Sequence, residues 1–490
     1  MDARLRLLAV DLGAESGRCT VGDFDGTALT LTEAHRFSNG PVQLPDGMHW
    51  DALRLFEEMK AGVRRARRDG PVASVGVDTW GLDFALLGRD GMLLHNPYHY
   101  RDHRTEGMLE EAFRRVPREE IFRRTGIQFM SVNTLYQLLA MVVAGSAALE
   151  RAATFLMMPD LFNYWFTGTV GCEFTDATTS QCYDPSAHYW AVDILGRLGI
   201  PSRIFPPIIS PATVLGPIHT SLADETDGAG IKVIAPACHD TAAAVVAVPA
   251  VRSNFAYISS GTWSLVGVEV PTPLINAQTL ADNFTNEGGV GGRFRLLKNV
   301  LGLWILQECR RRWAEEAEPP SYDTLTLEAR AAASFGSLID PDDERFLRPT
   351  DMPARIGEFC RETGQLVPRS RGEITRCILE SLALKYRAVI ERLDALLGRR
   401  IEVIHIVGGG SRNTLLCQLT ADATGRPVDA GPAEATAMGN LLVQAMALGH
   451  LQTVEDIREV VRNSTVASVY EPAGGDRWSE AYAKFLHLLR

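Results

Sequence analysis

The alternation of hydrophobic and polar positions in the first part of the chain predicts strand, strand, strand, helix and strand. Residues 5–13 are mostly apolar, and residues 18–26 and 29–39 continue with strand patterns across a turn. Residues 51–70 place apolar side chains at helical spacing and end at a glycine. Residues 72–87 are again strand-like and are interrupted by glycine. This succession predicts a layered α/β unit.

A similar opening occurs near the middle of the chain. Residues 254–269 predict a strand, a Ser/Gly/Thr turn and a second strand, in loose alignment with residues 7–24. Residues 405–425 predict strand, glycine-rich turn and helix, and residues 433–449 a helix of small residues. The repetition indicates two α/β halves of one design. The predicted domains are residues 1–247 and 248–490.

Composition narrows the possible partners. The chain has 490 residues and a net charge of −11, and its basic clusters at 64–68 and 310–312 fit exposed helix ends, which argues against nucleic acid. No apolar run reaches the ~18 residues of a membrane span, and the first residues lack a signal-peptide layout. The eight cysteines form no CxxC pair, so we expect buried thiols, a reducing compartment and a cytoplasmic location.

The stretch AVDLGAESGR, residues 9–18, is a candidate phosphate site. Asp11 ends a predicted strand, and the turn at 13–17 can direct backbone N–H groups outward. A carboxylate beside such a turn can hold Mg²⁺ through water, and Arg18 can donate to a phosphate. A plain hairpin turn with a surface aspartate explains the same pattern.

The stretch CHDTA, residues 238–242, places Asp240 where an Ala-rich helical pattern begins. We expect the helix dipole and the free N–H groups of the first turn to keep this carboxylate charged. A carboxylate there can act as the general base for a hydroxyl group. A simple helix cap is the alternative.

The stretch GVDTWGLDF, residues 76–84, combines acidic and aromatic side chains around a glycine. Asp78, Trp80, Gly81 and Asp83 suit the recognition of sugar hydroxyls, and they equally suit a buried strand with a turn.

The second half offers candidates for nucleotide binding. Thr262 lies in a predicted turn, and Asn299 and Gln307 lie two turns apart on a predicted helix at 298–308. The glycine turn at 407–413 precedes a predicted helix and can cradle a phosphate. Neither a P-loop nor a GxGxxG turn between strand and helix is present, so ATP would bind through another design.

Together these stretches resemble the FGGY family of sugar kinases, over about residues 5–470. HDTA and SSGTWSL are typical of the family, and HRFSNG, NTLYQL and TNEGG point within it to kinases of L-rhamnulose. The resemblance implies a two-domain ATPase fold of the hexokinase, Hsp70 and actin type (a duplicated ribonuclease H-like fold) with a cleft between the domains. The other matching stretches are DTWGLDF, YRDHRT, TGIQF, MPDLF, LKNVLGLW and HIVGGGSRNTLL.

The resemblance also implies residue roles. The ATP phosphates would lie against Ala14, Glu15, Ser16, Gly17 and Arg18, with Asp11 near Mg²⁺. The sugar would contact Gly81, His239, Asp240 and Thr241, with Asp240 as the base. ATP would contact the second half at Thr262, Asn299, Gln307 and Gly409. Many members have Ser or Thr where this chain has Glu15. A carboxylate beside polyphosphate costs energy unless it points away or helps to hold the metal, and we expect the Glu15 carboxylate to point away from the phosphates.

The reaction implied by the resemblance is the phosphorylation of the 1-hydroxyl of L-rhamnulose by Mg·ATP. Another ketose or polyol, such as L-fuculose or xylulose, stays open as the substrate. A protein-binding ATPase of the actin or Hsp70 type is an alternative from a different class, and ATPase activity independent of sugar would favour it.

Overall fold

The computed structural model describes residues 4–315 and 318–489, which form two compact units. The first unit is Met1–Pro249 with Glu269–Leu296 and Ala435–Thr465, and the second is Ala250–Val268, Leu297–Glu434 and Val466–Arg490. The predicted assignment of sugar binding to residues 1–247 and of nucleotide binding to residues 248–490 stays a prediction.

The strands and α-helices are numbered in chain order. The strands are β1 Leu5–Leu12, β2 Ser16–Phe24, β3 Leu29–Ser38, β4 Pro41–Leu44, β5 Gly47–Trp50, β6 Ser74–Thr79, β7 Phe84–Leu87, β8 Thr154–Met157, β9 Cys172–Glu173, β10 Tyr183–Asp184, β11 Tyr189–Trp190, β12 Ile208–Ile209, β13 Thr213–Pro217, β14 Lys232–Ala235, β15 Phe255–Ser260, β16 Trp263–Val270, β17 Thr285–Gly288, β18 Phe294–Leu301, β19 Val403–Val407, β20 Val428–Ala430 and β21 Ser468–Tyr470. The helices are α1 Ala52–Arg68, α2 Met108–Arg115, α3 Arg118–Thr125, α4 Thr134–Val143, α5 Ala147–Arg151, α6 Met158–Thr167, α7 Phe174–Ala177, α8 Val192–Leu198, α9 Thr220–Thr226, α10 Asp240–Val246, α11 Ala277–Ala281, α12 Trp304–Ala314, α13 Tyr322–Ala331, α14 Met352–Glu362, α15 Arg371–Leu397, α16 Thr414–Thr424, α17 Ala435–Ala447, α18 Val454–Ser464 and α19 Asp476–Leu486.

The main sheet of the first unit has the order β13-β14-β6-β1-β2-β3. The hairpin β1–β2–β3 is antiparallel, whereas β1, β6 and β14 run parallel to one another. Helix α17 packs against β1 and β6, and α1 and α6 also contact these strands. Helices therefore bury both faces of β1, which explains its nearly continuous apolar sequence.

The strands of the second unit repeat this plan. They follow the order β18-β16-β15-β19-β20-β21, with β15–β16 antiparallel, β15, β19 and β20 parallel, and β20–β21 antiparallel. The 27-residue helix α15 begins with a capping box between Ser370 and Glu373 and packs against α13 and α16. The prediction of two α/β halves of one design is confirmed.

Most of the predicted elements are present, with one clear error. The helix predicted at 298–308 is wrong in its first part, because β18 extends to Leu301, and it is confirmed only from Trp304, where α12 begins. Gly302 separates the two: a Cβ there would lie 2.6 Å from Ser264 Oγ and 2.7 Å from the Trp263 carbonyl carbon. Strand pairing and this close backbone approach outweigh the local helical spacing.

Two further predictions from the sequence concern the cysteines and membrane-spanning helices. All eight cysteines are buried free thiols, as predicted. Over the described ranges, no helix has both the length and the apolar character that a membrane crossing requires.

Candidate active site

Two aspartates lie side by side at the carboxyl ends of parallel strands in the first unit. The register of β1 and β6 pairs Asp11 with Asp78, so their side chains leave the same edge of the sheet. Asp11 Oδ2 accepts a hydrogen bond from Arg18 Nη2 at 2.8 Å. Burial raises the pKa of Asp78 well above its ordinary value, and the Asp11 and Asp240 charges raise it further. Of this pair, only Asp11 was predicted near the metal, and Asp78 was a candidate for sugar recognition.

Helix α17 holds the Asp78 carboxyl in place through buried amides. Asn440 Nδ2 donates to Asp78 Oδ2 at 2.5 Å and to the Gly76 carbonyl at 3.1 Å. Gln444 Nε2 in turn donates to Asn440 Oδ1 at 2.6 Å. A Cβ on Gly76 would approach Asn440 Oδ1 to 2.6 Å, so the glycine makes room for this contact. Asp78 Oδ1 is buried and accepts no hydrogen bond from any residue in the described ranges.

The candidate phosphate turn joins β1 and β2. Its first hydrogen bond runs from Gly13 N–H to the Ser16 carbonyl at 2.9 Å, and Asn39 N–H donates to the Glu15 carbonyl. Ser16, Gly17 and Arg18 belong to β2, so only Gly13, Ala14 and Glu15 form the turn itself. The Glu15 side chain is exposed. Its orientation toward a bound phosphate stays a prediction.

Asp240 is the first residue of α10, as the sequence predicted, and His239 is its N-cap. Its side chain is 31% exposed, and the Thr241 hydroxyl donates to Asp240 Oδ1 at 3.0 Å. The expected effect of the helix start on its charge is outweighed: burial and the Asp11 carboxylate raise the pKa of Asp240 to about 7. The surrounding carboxylates and the loss of water cost more than the dipole contributes.

The backbone before Asp240 is fixed by two buried side chains at the start of α7. Glu173 Oε2 accepts from the Cys238 N–H at 3.0 Å, and Thr175 Oγ1 accepts from the His239 N–H at 3.1 Å. The Thr175 hydroxyl itself donates to Glu173 Oε2 at 2.5 Å. Burial raises the pKa of Glu173 to about 7, although these hydrogen bonds lower it. Glu173 and Thr175 were not predicted, since no local pattern in the sequence relates them to CHDTA.

The His239 ring lies in a buried polar cluster. Arg295 Nη2 lies 3.0 Å from His239 Nδ1, and His239 Nε2 lies 3.4 Å from Asp240 Oδ1. Arg295 also contacts Glu287 Oε2 at 3.2 Å and donates through Nε to the Gly288 carbonyl at 2.8 Å. Glu287 lies in the quoted stretch TNEGG, whereas Arg295 was missed. The available signal was an arginine directly between the apolar residues Phe294 and Leu296 of β18.

Asp83 is buried, and its carboxylate accepts hydrogen bonds from neighbouring side chains, so it is not available to a sugar hydroxyl. Its side chain is fully buried, and Oδ2 accepts from Trp50 Nε1 at 2.6 Å and from Trp80 Nε1 at 3.0 Å. Gln137 Nε2 donates to Asp83 Oδ1 at 2.9 Å. Burial raises the pKa of Asp83 to about 6 against these donors. For Asp83, the reading of the DTWGLDF stretch as a buried turn is the correct one.

Gly81 lies in the same turn, against Thr179. A Cβ on Gly81 would approach Thr179 Oγ1 to 2.9 Å, and this hydroxyl also accepts from the Leu82 N–H at 3.2 Å. Leu82 has a φ of 78°, which a branched residue adopts only where surrounding contacts enforce it. Thr134 Oγ1 donates to the Leu82 carbonyl at 2.5 Å and is one such contact.

The nucleotide candidates of the second unit gather at the corresponding edge of its sheet. Strands β15 and β19 are parallel, and the turns that follow them contain Thr262 and Gly409. The Thr262 carbonyl accepts from the N–H groups of Gly302 and Trp304, both at 3.1 Å, which brings the start of α12 to this turn. Gln307 lies on the first turns of α12, and Asn299 lies on β18 instead of on that helix.

The glycine turn after β19 packs tightly against the end of β15. Gly408 has a φ of 82°, and a Cβ there would lie 3.0 Å from the Ser260 carbonyl oxygen. A Cβ on Gly410 would overlap the Ser260 hydroxyl and lie 2.6 Å from Ser260 Cβ. A Cβ on Gly409 would meet nothing within 4 Å, so this residue faces open space.

The structure thus groups the predicted residues within each unit. In the first unit, the charges of Asp11, Asp240 and Arg18 all act on Asp78, and His239 and Thr241 flank Asp240. Gly81 lies against Thr179 in the turn after β6. In the second unit, Thr262, Gln307 and Gly409 lie around the ends of β15 and β19.

Comparison with known proteins identifies the class. Residues 6–247 match the N-terminal domain of the FGGY family of carbohydrate kinases, and residues 256–448 match its C-terminal domain. The chain therefore belongs to the FGGY family of carbohydrate kinases, enzymes that use ATP. A rhamnulokinase of Bacteroides thetaiotaomicron is 46% identical over 483 residues, which span 98% of this chain and 99% of that protein. A rhamnulokinase of Oceanobacillus iheyensis is 41% identical, over 93% and 96% of the two chains.

Solved structures support the fold. The gluconate kinase of Lactobacillus acidophilus superposes with a TM-score of 0.80 at 17% identity, covering 99% of this chain and 97% of that one. The xylulose kinase of Rhodospirillum rubrum gives 0.78 at 19% identity, with 99% and 98% covered. The predicted two-domain ATPase fold is confirmed.

Proposed function

We propose that this chain transfers the γ-phosphoryl group of Mg·ATP to the 1-hydroxyl of L-rhamnulose. The observation that carries the proposal is Asp240, a partly exposed carboxylate at a helix start, flanked by His239 and Thr241 and close to the Asp11–Asp78 pair. Relatives at 41–46% identity over 93–98% of the chain carry the name rhamnulokinase, which supports the choice of sugar.

The residues present fit a magnesium ion. Mg²⁺ in kinases is typically bound by one or two carboxylates together with water and substrate phosphates. Asp11 and Asp78 provide such a pair, and the buried Asp78 Oδ1 accepts no hydrogen bond within the part of the chain that is described. In the same ranges, no three His, Cys, Asp or Glu side chains form a complete metal cage. When bound with ATP, the ion would neutralise charge on the transferring phosphate.

Asp240 would act as the base. Its carboxylate accepts the proton of the sugar 1-hydroxyl as that oxygen attacks the γ-phosphorus, and the bond to the β–γ bridging oxygen breaks to release ADP. Glu173 and Thr175 hold the preceding backbone, so the carboxylate is positioned before the sugar binds. His239, Thr241 and Gly81 would contact the sugar.

The β1–β2 turn would bind the phosphates of ATP. Backbone N–H groups of the turn, with Ala14, Glu15, Ser16 and Gly17, would face the phosphates, and Arg18 would pair with a phosphate in exchange for Asp11. Thr262, Asn299, Gln307 and Gly409 would contact the nucleotide. The open space beside Gly409 supports a close approach of the ligand to its backbone.

The test is an ADP-release assay on purified protein with Mg·ATP and a panel of substrates. L-rhamnulose, L-fuculose, L- and D-xylulose, L-ribulose and glycerol are compared by kcat/KM, with Asp240→Asn prepared in parallel to measure contaminating kinases. We expect a strong preference for L-rhamnulose. Preference for another sugar would contradict the substrate but keep the site. ADP release that no sugar stimulates would favour the protein-binding ATPase.

A further inference from the structure

The cluster of His239, Glu287 and Arg295 in the first unit has a feature that phosphoryl transfer alone does not explain. Arg295 has a side-chain exposure of 0%, and its Nη1 donates to no partner among the described residues. A buried guanidinium with an unsatisfied donor is expensive, so its retention calls for a reason. The contacts on the other side of the guanidinium provide one.

The geometry between Arg295 and His239 determines where the imidazole carries its proton. An arginine side chain only donates hydrogen bonds, so His239 Nδ1, 3.0 Å from Arg295 Nη2, must be the acceptor. A neutral imidazole that accepts at Nδ1 carries its single proton on Nε2. Protonation of both nitrogens would point an N–H at the guanidinium, so that the hydrogen bond at 3.0 Å would be replaced by a contact between like charges. Glu287 Oε2 lies farther from Nδ1, at 3.5 Å, and is paired with Arg295 Nη2 at 3.2 Å.

We propose that Arg295 is a positioning residue that locks His239 in the neutral Nε2–H tautomer. His239 is thereby a fixed hydrogen-bond donor on the side of Asp240, whose Oδ1 lies 3.4 Å from Nε2. Glu287 balances the guanidinium charge through its contact at 3.2 Å, and the Gly288 carbonyl fixes the Arg295 Nε. In this tautomer, His239 Nε2–H can donate a hydrogen bond to a sugar oxygen next to the reacting hydroxyl, and it cannot accept one.

Two further observations agree with this lock. Burial and the Arg295 charge lower the pKa of His239 well below its ordinary value, which favours the neutral ring. The His239 backbone is fixed independently by Thr175, so the ring turns only about its side-chain bonds. The charged or titratable groups that face the ring are Arg295, Glu287 and Asp240.

The first test uses the protein without sugar or nucleotide. Long-range proton–nitrogen NMR of histidine-labelled protein distinguishes a protonated ring nitrogen from a bare one, and His239→Gln assigns the signal among the 11 histidines. We expect Nε2 protonated and Nδ1 bare, without titration between about pH 5.5 and 8.5. An Nδ1–H tautomer, or a titration within that interval, would overturn the proposal.

The second test removes the guanidinium. In Arg295→Met we expect mixed tautomers of His239 and a KM for the sugar raised about tenfold, with the KM for ATP unchanged, because one oriented donor to the sugar is lost. Arg293→Met is the matched control, since Arg293 is 36% exposed, pairs with Glu455, and lies two residues away on the same segment. It should leave both the tautomer and the KM unchanged.

The outcomes distinguish this proposal from the proposed function. Only the expected effect on sugar binding rests on the proposed function, whereas the tautomer of His239 does not. A locked His239 in a protein that phosphorylates no sugar would contradict the proposed function and keep the tautomer lock. An Arg295→Met protein with an unchanged His239 spectrum, or with mixed tautomers and an unchanged KM for the sugar, would overturn the positioning role. Should Arg295→Met fail to fold, the wild-type spectrum alone decides the tautomer.

Discussion

The two units place different chemistry at the same point of the same strand plan. In the first unit, the parallel strands β1 and β6 carry Asp11 and Asp78 one residue before their carboxyl ends. In the second unit, the parallel strands β15 and β19 end near Ser260 and Gly408. One edge therefore presents carboxylates, and the other presents a hydroxyl and glycines. A duplicated fold fixes where a site forms, whereas the side chains decide what it binds.

The two edges are also stabilised differently. The carboxylates of the first unit are costly, since burial and mutual repulsion raise the pKa values of Asp78 and Asp240 and amides must hold them in place. The second edge depends on space, because Gly408 and Gly410 pack directly on Ser260. We therefore expect substitutions that change the charge of a carboxylate to disrupt the site of the first unit. In the second unit, we expect substitutions that add a side chain to a glycine to disrupt the site.

The largest effect is expected from Asp240→Asn. The amide keeps the shape of the side chain but cannot accept the hydroxyl proton, so kcat should fall about 10²- to 10⁴-fold. The measurement is steady-state ADP release with L-rhamnulose, and a variant within tenfold of the wild type would contradict the assignment of the base.

The same variant has an informative stability control. An Asp pKa raised in the folded state means that stability falls as pH rises between the unfolded value near 4 and the folded value of about 7. Asn removes this penalty, so the thermal midpoint at pH 8 should stay equal to that of the wild type or rise. A large decrease would mean that Asp240 supports the fold rather than the reaction.

The second prediction compares neighbouring glycines of the second unit. Gly410→Ala should reduce the free energy of unfolding by about 1–3 kcal/mol, because the new methyl group overlaps Ser260. Gly409→Ala places its methyl group in open space, so stability should be unchanged while the KM for ATP rises. Chemical denaturation and ATP kinetics on both variants check this. Equal stability of the two variants would contradict the packing argument.

The third prediction concerns pH. If Asp240 must be ionised to accept the proton, kcat/KM for the sugar should fall about tenfold for each pH unit below about 7 and level off above it. A rate profile from pH 5 to 9 measures this, and the residual activity of Asp240→Asn should lack the acid limb. An acid limb near pH 4 would show that burial does not raise this pKa in solution.

Local patterns in the sequence were sufficient for much of the fold. The strands β1 to β3 and the start of α10 at Asp240 were predicted because apolar runs and small-residue helices are encoded over a few neighbouring positions. Asn299 was placed on a helix because its segment fits helical spacing, and only strand pairing and the tight contact at Gly302 reveal β18.

Contacts between distant positions account for the rest. Asp78 depends on Asn440, and His239 depends on Arg295, which are 362 and 56 residues away in the chain. The carboxylate of Asp240 was expected to stay charged because the helix start is a local feature, whereas its pKa is raised by burial and by the charge of Asp11 on β1, which both come from tertiary packing. Site chemistry of this kind follows from tertiary packing and leaves little local signal.

The smallest effect is expected at Glu15, an exposed carboxylate in the β1–β2 turn of the first unit. The corresponding turn of the second unit, between β15 and β16, carries no such charge. If the carboxylate points away from the phosphates, Glu15→Ser should change the KM for ATP less than about fivefold, as expected for an exposed charge. Glu33→Ser, which removes another exposed charge on the neighbouring strand, is the matched control. A marked tightening of ATP binding in Glu15→Ser alone would show that Glu15 faces the phosphates. ATP would then bind at the turn against the repulsion of an exposed carboxylate, in the same unit that already holds the carboxyl groups of Asp78 and Asp240.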